Sequence, residues 1–204
     1  MYGYTDRQLP SIAGKYKGKS LVICADGACV WDDLERLGCR RDPGNATRGS
    51  VVGPYDFMTV NKLVEVFPGN IEHAYSNEPR LLEAFIAARR QEYRKEFVGP
   101  VHTHSCNEGA KHKWPFGGHA TSGLGAALTG VCLGYDKVIL CGMPLDNGPH
   151  NGEPPWRRCN FTREAPSTEA GTINRHWRNA RDLMFEGKVK SMSGRSKEWL
   201  GAPC

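Results

Sequence analysis

Through residues 121–146 the hydrophobic positions follow two periods in turn. Leu124, Ala127, Leu128 and Val131 recur at helical spacing behind Thr121, Ser122 and Gly123, which predicts a helix with one buried stripe, a hydroxyl cap at its start and Gly134 at its end. Residues 137–142, KVILCG, are apolar on both faces and too few for a second helix, the pattern of a central parallel strand. A helix packed on a buried strand is the expected centre of the fold. Gly123, Gly125 and Gly130 each cost that helix about 1 kcal/mol relative to alanine, so another group is expected to approach its backbone closely. Helix-on-sheet packing suffices for Gly130, whereas Ser122 and Gly123 stand where exposed N–H groups and the helix dipole attract an anion.

Upstream, residues 19–26 (KSLVICAD) form a continuous apolar run ended by Asp26, and residues 27–37 have the acid-rich opening and apolar spacing of a helix stopped by Gly38. Strand, Asp-Gly turn and helix make the opening unit of a nucleotide-binding α/β sheet, where a ligand sits at the strand C-termini. The loop ADGACV has neither the G-x-G-x-x-G spacing nor the Lys-Ser/Thr of a P-loop, so neither fingerprint applies. Residues 38–53 read as a loop. Strands over residues 55–61 and 71–76 end in Asn61 and in Ser76-Asn77. Three successive strands thus end in small polar groups, as a cleft in an open parallel sheet requires, although turn chemistry accounts for any one of them.

Residues 79–97 predict a helix with Leu81, Leu82, Phe85, Ile86 and Ala88 inward and Arg89, Arg90, Glu92, Arg94 and Lys95 solvated. A short strand over residues 98–104 and a Gly- and His-rich loop over 105–120 lead into the central helix. A lid or substrate loop is expected over 147–168, because such a length is unusual in a compact domain. An amphipathic helix ending at Phe185 and a strand over 188–192 follow. With an irregular arm over residues 1–18, the pattern is that of a single α/β domain, doubly wound around a mostly parallel, Rossmann-like sheet.

Composition narrows this picture only a little. The 204 residues suffice for one well-buried domain, and the net charge of +5 is spread along the chain, which suits an anionic small molecule or a modest nucleic-acid contact. No apolar run approaches the roughly 20 residues of a bilayer span and the first residues lack a secretory layout, so a cytoplasmic protein with no membrane partner is expected. On that expectation the eight cysteines are reduced thiols, with Cys24, Cys132 and Cys141 acting as small hydrophobes.

ICADGACVWDDL, YDFMTVN, residues 121–146 and the tail SMSGRSKEWLGAP together resemble a group of phage and bacterial proteins of Rossmann-like, glycosyltransferase-type fold, related to bacterial CMP-sialyltransferases and to the 6-hydroxymethylpterin diphosphokinase-like domain. The resemblance implies a nucleotide or nucleotide-sugar donor held by Asp26, Gly27, Ala28, Asn61, Ser122 and Gly123. ADGA stands where sialyltransferases carry a G-N-G-P-S-like loop. The implied function is glycosyl transfer to an unassigned acceptor, with nucleic acid among the candidates. The alternatives are an ATP-dependent diphosphokinase-like transfer and a phage protein that sequesters a nucleotide without turnover; a phage-encoded protein would act in the host cytoplasm. A homo-oligomer is compatible with the sequence.

The candidate chemistry centres on histidine. His102, His104, His112 and His119 lie close together with Cys106, and a histidine here can deprotonate an acceptor hydroxyl, His104 being the first choice with His102 and His119 next. Neither a C-x-x-C pair nor H-E-x-x-H accompanies them, so a closed metal site is not expected, while a divalent ion remains compatible. Asp146 and His150 follow the late strand at the expected cleft edge, where Asp146 can hold a ribose hydroxyl, an ion or a catalytic proton. Ser76 and Asn77 join the cleft at a strand end. Among the arginines, Arg195 in Ser193-Gly194-Arg195-Ser196 is favoured for phosphate, because small flanking residues allow a backbone nest. Asp32-Asp33 is read as a complement to a helix N-terminus, and Trp114, Trp156 and Trp177 as core residues or stacking platforms.

Overall fold

Leu21, Val22, Ile23 and Cys24 are fully buried, as a strand covered on both faces requires, and β1 (Ser20–Cys24) is the centre of the sheet. The computed structural model describes residues 9–41, 51–94, 96–104, 110–116, 121–146 and 169–203. After β1 come α1 (Val30–Arg36), the short pair β2 (Arg40–Arg41) and β3 (Val51–Val52), β4 (Asp56–Val60), α2 (Leu63–Val66), β5 (His73–Tyr75), α3 (Pro79–Tyr93), β6 (Val101–Thr103) and β7 (His112–Lys113). The chain continues through α4 (Ser122–Leu133), β8 (Lys137–Cys141), α5 (Glu169–Leu183), β9 (Val189–Ser191) and α6 (Gly194–Leu200). The main sheet has the order β7-β6-β5-β4-β1-β8-β9, and every pairing in it is parallel. This is the expected doubly wound, Rossmann-like α/β architecture.

Alternate side chains of the central strands feed two cores. Leu21, Ile23, Met58, Val60, Val138 and Leu140 pack under α4 and α5, whereas Val22, Cys24, Phe57, Ile139 and Cys141 face α1 and α2, and Ala74 meets α3. α4 is the most enclosed helix: every residue from Leu124 to Gly130 is buried, so the expected single stripe widens to the whole circumference. Its last carbonyls are satisfied by the arm, where Gly14 N–H donates to Cys132 at 3.0 Å and Tyr16 N–H to Leu133 at 3.0 Å.

The structure corrects several expectations. Residues 38–53 are not all loop, since β2 and β3 pair antiparallel. The loop over 105–120 contains β7, a two-residue strand at the sheet edge. Beyond Met192 the chain forms α6. On α3, Arg89 is buried (2 % exposed) and Leu81 is 52 % exposed, the reverse of the expected assignment. Arg89 donates to the carbonyls of Val64 at 3.1 Å, Gly69 at 3.0 Å and Phe67, which the end of the one-turn helix α2 leaves without intrahelical partners. Three such acceptors are what a guanidinium fork can serve and a leucine cannot.

A buried polar relay ties the edge strands to the centre. Trp114 Nε1–H donates to His102 Nδ1 at 3.1 Å. That bond places the His102 proton on Nε2, 3.1 Å from His73 Nδ1. His73 must then carry its proton on Nε2, 3.0 Å from the Tyr135 hydroxyl, and Tyr135 donates to Asp56 Oδ2 at 2.9 Å. Lys19 Nζ closes the series on Asp56 at 3.0 Å. Each link holds one hydrogen, so both rings are neutral; burial holds the His73 pKa down at about 4 and that of His102 well below its usual value.

Candidate functional site

β1 and β8 lie side by side, and the chain leaves them in opposite directions: from β1 by way of α1 towards β4, and from β8 by way of α5 to β9. With α1 and α5 on opposite faces, the C-terminal ends of β1 and β8 mark the topological switch point of the sheet, the place where open α/β sheets hold ligands. Here the two strands stay joined beyond their last regular residues. Ala25 N–H donates to Cys141 at 2.9 Å and Gly27 N–H to Gly142 at 3.0 Å. A Cβ on Gly27 would stand 2.5 Å from the Gly142 carbonyl oxygen, and one on Gly142, whose φ is +68°, would stand 2.3 Å from the oxygen of Ala25. Glycine is required at both positions by this close crossing.

A fully buried carboxylate fixes the far side of the crossing. Asp33 Oδ2 accepts from Gly142 N–H at 2.9 Å and from Ser193 Oγ at 2.8 Å, while Oδ1 takes Arg36. The loops after β8 and β9 and the helix after β1 are thereby held in one arrangement. Asp33 stands in the first turn of α1 as expected, but its oxygens serve these tertiary partners rather than the helix end. Ser196 reinforces the junction: its N–H donates to the Pro144 carbonyl at 3.2 Å and its hydroxyl to that of Met143. The neighbouring thiols are inert, burial pushing Cys29 and Cys39 each up to about 11 and Cys24 and Cys141 well above their usual value.

The N-terminus of α4 opens at the same edge. Thr121 is the N-cap, its Oγ1 accepting from Leu124 N–H at 3.3 Å, and Ser122 Oγ accepts from Asn77 N–H at 3.3 Å, which links the end of β5 to the helix. The Ser122 and Gly123 N–H groups belong to the first turn, where no intrahelical acceptor exists. Tyr75 reaches across to this turn. Its hydroxyl lies 2.8 Å from His104 Nδ1, and a Cβ on Gly125 would stand 1.9 Å from that oxygen. The glycine in mid-helix therefore makes room for a tyrosine that holds a histidine. His104 is half-buried, and desolvation lowers its pKa, so the ring is neutral at pH 7. Gly125→Ala should lower stability by about 1–3 kcal/mol through overpacking and move the His104 titration, followed by NMR, back towards 6.5 as Tyr75 is displaced. An unchanged melting temperature together with an unchanged His104 titration would contradict this packing.

The other expected site residues are distributed as follows. Asp26 and Gly27 are half-buried and Ala28 exposed, all on the β1 loop, and Asp146 is half-buried in the segment after β8. Asn61 ends β4 in the left-handed region at φ 52°, its N–H donating to the Tyr75 carbonyl at 3.0 Å. Ser76 is buried, and its Oγ accepts from Glu78 N–H at 2.9 Å to start α3, so it faces inward. Arg195 is half-buried in the first turn of α6. His102 is fully buried with both ring nitrogens in the relay, apart from His104 and its Tyr75 partner. His119, His150, Cys106 and Trp156 lie outside the described residues, as does the loop over 147–168. Among the described residues no group of three or more His, Cys, Asp or Glu side chains is placed to hold a metal ion, and no helix is long and apolar enough to cross a membrane.

A groove of about 760 Å³ lies at the opposite edge, beside the first residues of β1 and β8, lined by Arg36, Tyr55, Lys137, Met192 and Lys197 among others. Its arginine is committed to Asp33, and it gathers none of the strand-end polar groups, so the switch point is the better candidate site. Sequence reasoning missed Tyr75, and it read Asp33 only as a complement to the helix end. Gly125 was the signal for Tyr75, because a glycine at a helix position facing a sheet marks a large side chain below it. No family model matches the chain, and comparison with curated proteins and with solved structures gives no match either.

Proposed function

We propose that the protein is a nucleotide-binding transferase that moves a glycosyl or similar group from a nucleotide-linked donor to an acceptor hydroxyl. The observation that carries this reading is the neutral His104, which follows β6 and is anchored through Nδ1 by Tyr75 beside the first turn of α4, at the C-terminal edge of the sheet. The donor's phosphates lie against the Ser122 and Gly123 N–H groups, where the helix dipole favours negative charge, and the Asp26-Gly27 loop and Asn61 line the crevice. The resemblance of these segments to sialyltransferase-like proteins points the same way.

In the tautomer whose Nδ1–H donates to Tyr75, His104 Nε2 presents a lone pair. It takes the proton of the acceptor hydroxyl as that oxygen bonds to the anomeric carbon. The bond from that carbon to the phosphate oxygen breaks, and its electron pair leaves on the nucleotide. Tyr75 keeps the ring oriented and Gly125 lets Tyr75 reach it.

A thermal-shift screen against CMP, CDP, UDP, GDP, ADP, ATP and their sugar conjugates, with and without Mg, tests the reading, because a ligand of the native state raises the melting temperature. A shift is expected with one nucleotide family and is smaller in Ser122→Ala, which unties the first turn of α4 from Asn77, and in Asn61→Ala. His104→Gln should keep the shift and lower turnover about 100-fold or more. No shift with any nucleotide would overturn the reading.

A further inference from the structure

We propose that the notch between the first turn of α4 and the buried stripe of α5 binds a sugar hydroxyl of the donor, with Trp177 Nε1–H donating to it and Asn174 Oδ1 accepting from it. The proposal rests on the transferase reading above and assigns where the transferred group is recognised.

α5 turns Ile173, Trp177 and Ala180 towards the core under α4. Asn174 lies in the same stripe, 6 % exposed, and Trp177 is 1 % exposed. Two polar atoms therefore enter an otherwise apolar surface. Neither Asn174 Oδ1 nor Trp177 Nε1 has a hydrogen-bond partner among the described residues. A buried polar group without a partner is disfavoured, and two on one helix face mark a place where something else supplies the bond.

Their position connects them to the site. Residues three apart on a helix are neighbours, so the amide and the indole share one patch. The indole points at the α4 N-terminus: its Cζ2, two bonds from Nε1, lies 3.6 Å from where a Cβ on Gly123 would stand, and the Met143 sulfur lies 2.9 Å from the same point. Gly123 is partly exposed, and the flexible Met143 thioether fills the space its missing side chain leaves, so a ligand at this turn reaches the indole by displacing that side chain. The N–H groups of the turn take the phosphate end, and the notch behind it presents one donor and one acceptor.

A hydroxyl is the group that satisfies both atoms, since it accepts from an N–H and donates to a carbonyl oxygen at once. A phosphate oxygen lacks the proton that Asn174 requires, and an aliphatic group satisfies neither atom. The ligand class is therefore a polyhydroxylated group attached to the nucleotide's phosphate.

The five tryptophans give separable indole N–H signals in a ¹⁵N–¹H spectrum, and Trp177→Phe assigns the one of interest. UDP-glucose, GDP-mannose and CMP-sialic acid are compared with UDP, GDP and CMP, and binding is measured in parallel by calorimetry. The expected result is that one conjugate shifts the Trp177 signal while its bare nucleotide does not. That conjugate should bind more tightly than the bare nucleotide, with the advantage reduced about fivefold to tenfold in Trp177→Phe and in Asn174→Leu. Binding of the bare nucleotide should be unchanged in both variants. Conjugate and nucleotide binding equally well, with the Trp177 signal unmoved, would overturn the notch and leave the crevice reading standing. Failure of every nucleotide to bind would overturn both.

Discussion

Acidification from pH 6.5 to pH 5 should remove much of the protein's stability before the carboxylates begin to titrate. In the folded protein His73 and His102 are neutral members of a relay in which every nitrogen is used, so an added proton sets one N–H against another. Burial is the main cause of both depressed pKa values, with His73 at about 4. The unfolded chain binds protons at about 6.5, so the stabilisation is complete above that pH and is lost as pH falls towards the folded value. For His73 alone the full loss, reached near pH 4, amounts to about 3 kcal/mol. His102 adds a second proton to the same slope. A domain stability of about 5–15 kcal/mol makes this enough to bring acid unfolding above pH 4. Urea unfolding at a series of pH values measures it: the free energy should fall from pH 6.5 to 5 with close to two protons taken up on unfolding, and His73→Gln should remove about one of them. A free energy that stays level over this window would show that the rings do not sit in the relay as described.

Asp33→Ala should destabilise the protein by about 3 kcal/mol, because two buried groups lose their acceptor at once. The Gly142 N–H is fully enclosed, and the Ser193 hydroxyl loses its 2.8 Å bond. Arg36 contributes less, as its side chain is half-exposed and can turn to water. Asp33→Asn retains one acceptor oxygen and should cost less, about 1–2 kcal/mol. Thermal or urea unfolding of both variants decides the matter, and a loss below about 0.5 kcal/mol in the alanine variant would mean that the crossing of β1 and β8 holds without the carboxylate. Ligand binding by the asparagine variant should be weaker, because the Gly142 and Ser193 contacts that fix the loops after β8 and β9 are loosened.

Legibility in the sequence followed the range of the forces involved. β1, β8 and α4 were readable because complete burial writes continuous apolar runs, and the helix cap and stop, Thr121 and Gly134, lie next to the elements they bound. β7 was not readable, since two residues carry no period and their pairing partner is supplied by β6. Arg89 was misplaced for a related reason: polarity alone sends an arginine to water, and only the end of α2, some 20 residues away in sequence, shows that its charge is needed inside. The relay joins Asp56, His73, His102, Trp114 and Tyr135, five residues no local spacing connects. The positions of Asp26, Asn61 and Asn77 after strand ends and of Ser122 at a helix start follow from the apolar pattern. The roles of Asp33 and Tyr75 do not, because they depend on Gly142, Ser193 and His104 arriving from other strands.

The most direct test of a nucleotide crevice at the switch point is the location of binding. Backbone amide shifts of the ¹⁵N-labelled protein are followed while the nucleotide with the largest thermal shift is titrated in. The changes should centre on Gly27, Asn61, Ser122 and Gly123 and extend to Met143. Changes centred on Tyr55, Lys137 and Lys197 would place the ligand in the groove at the opposite edge and contradict the account.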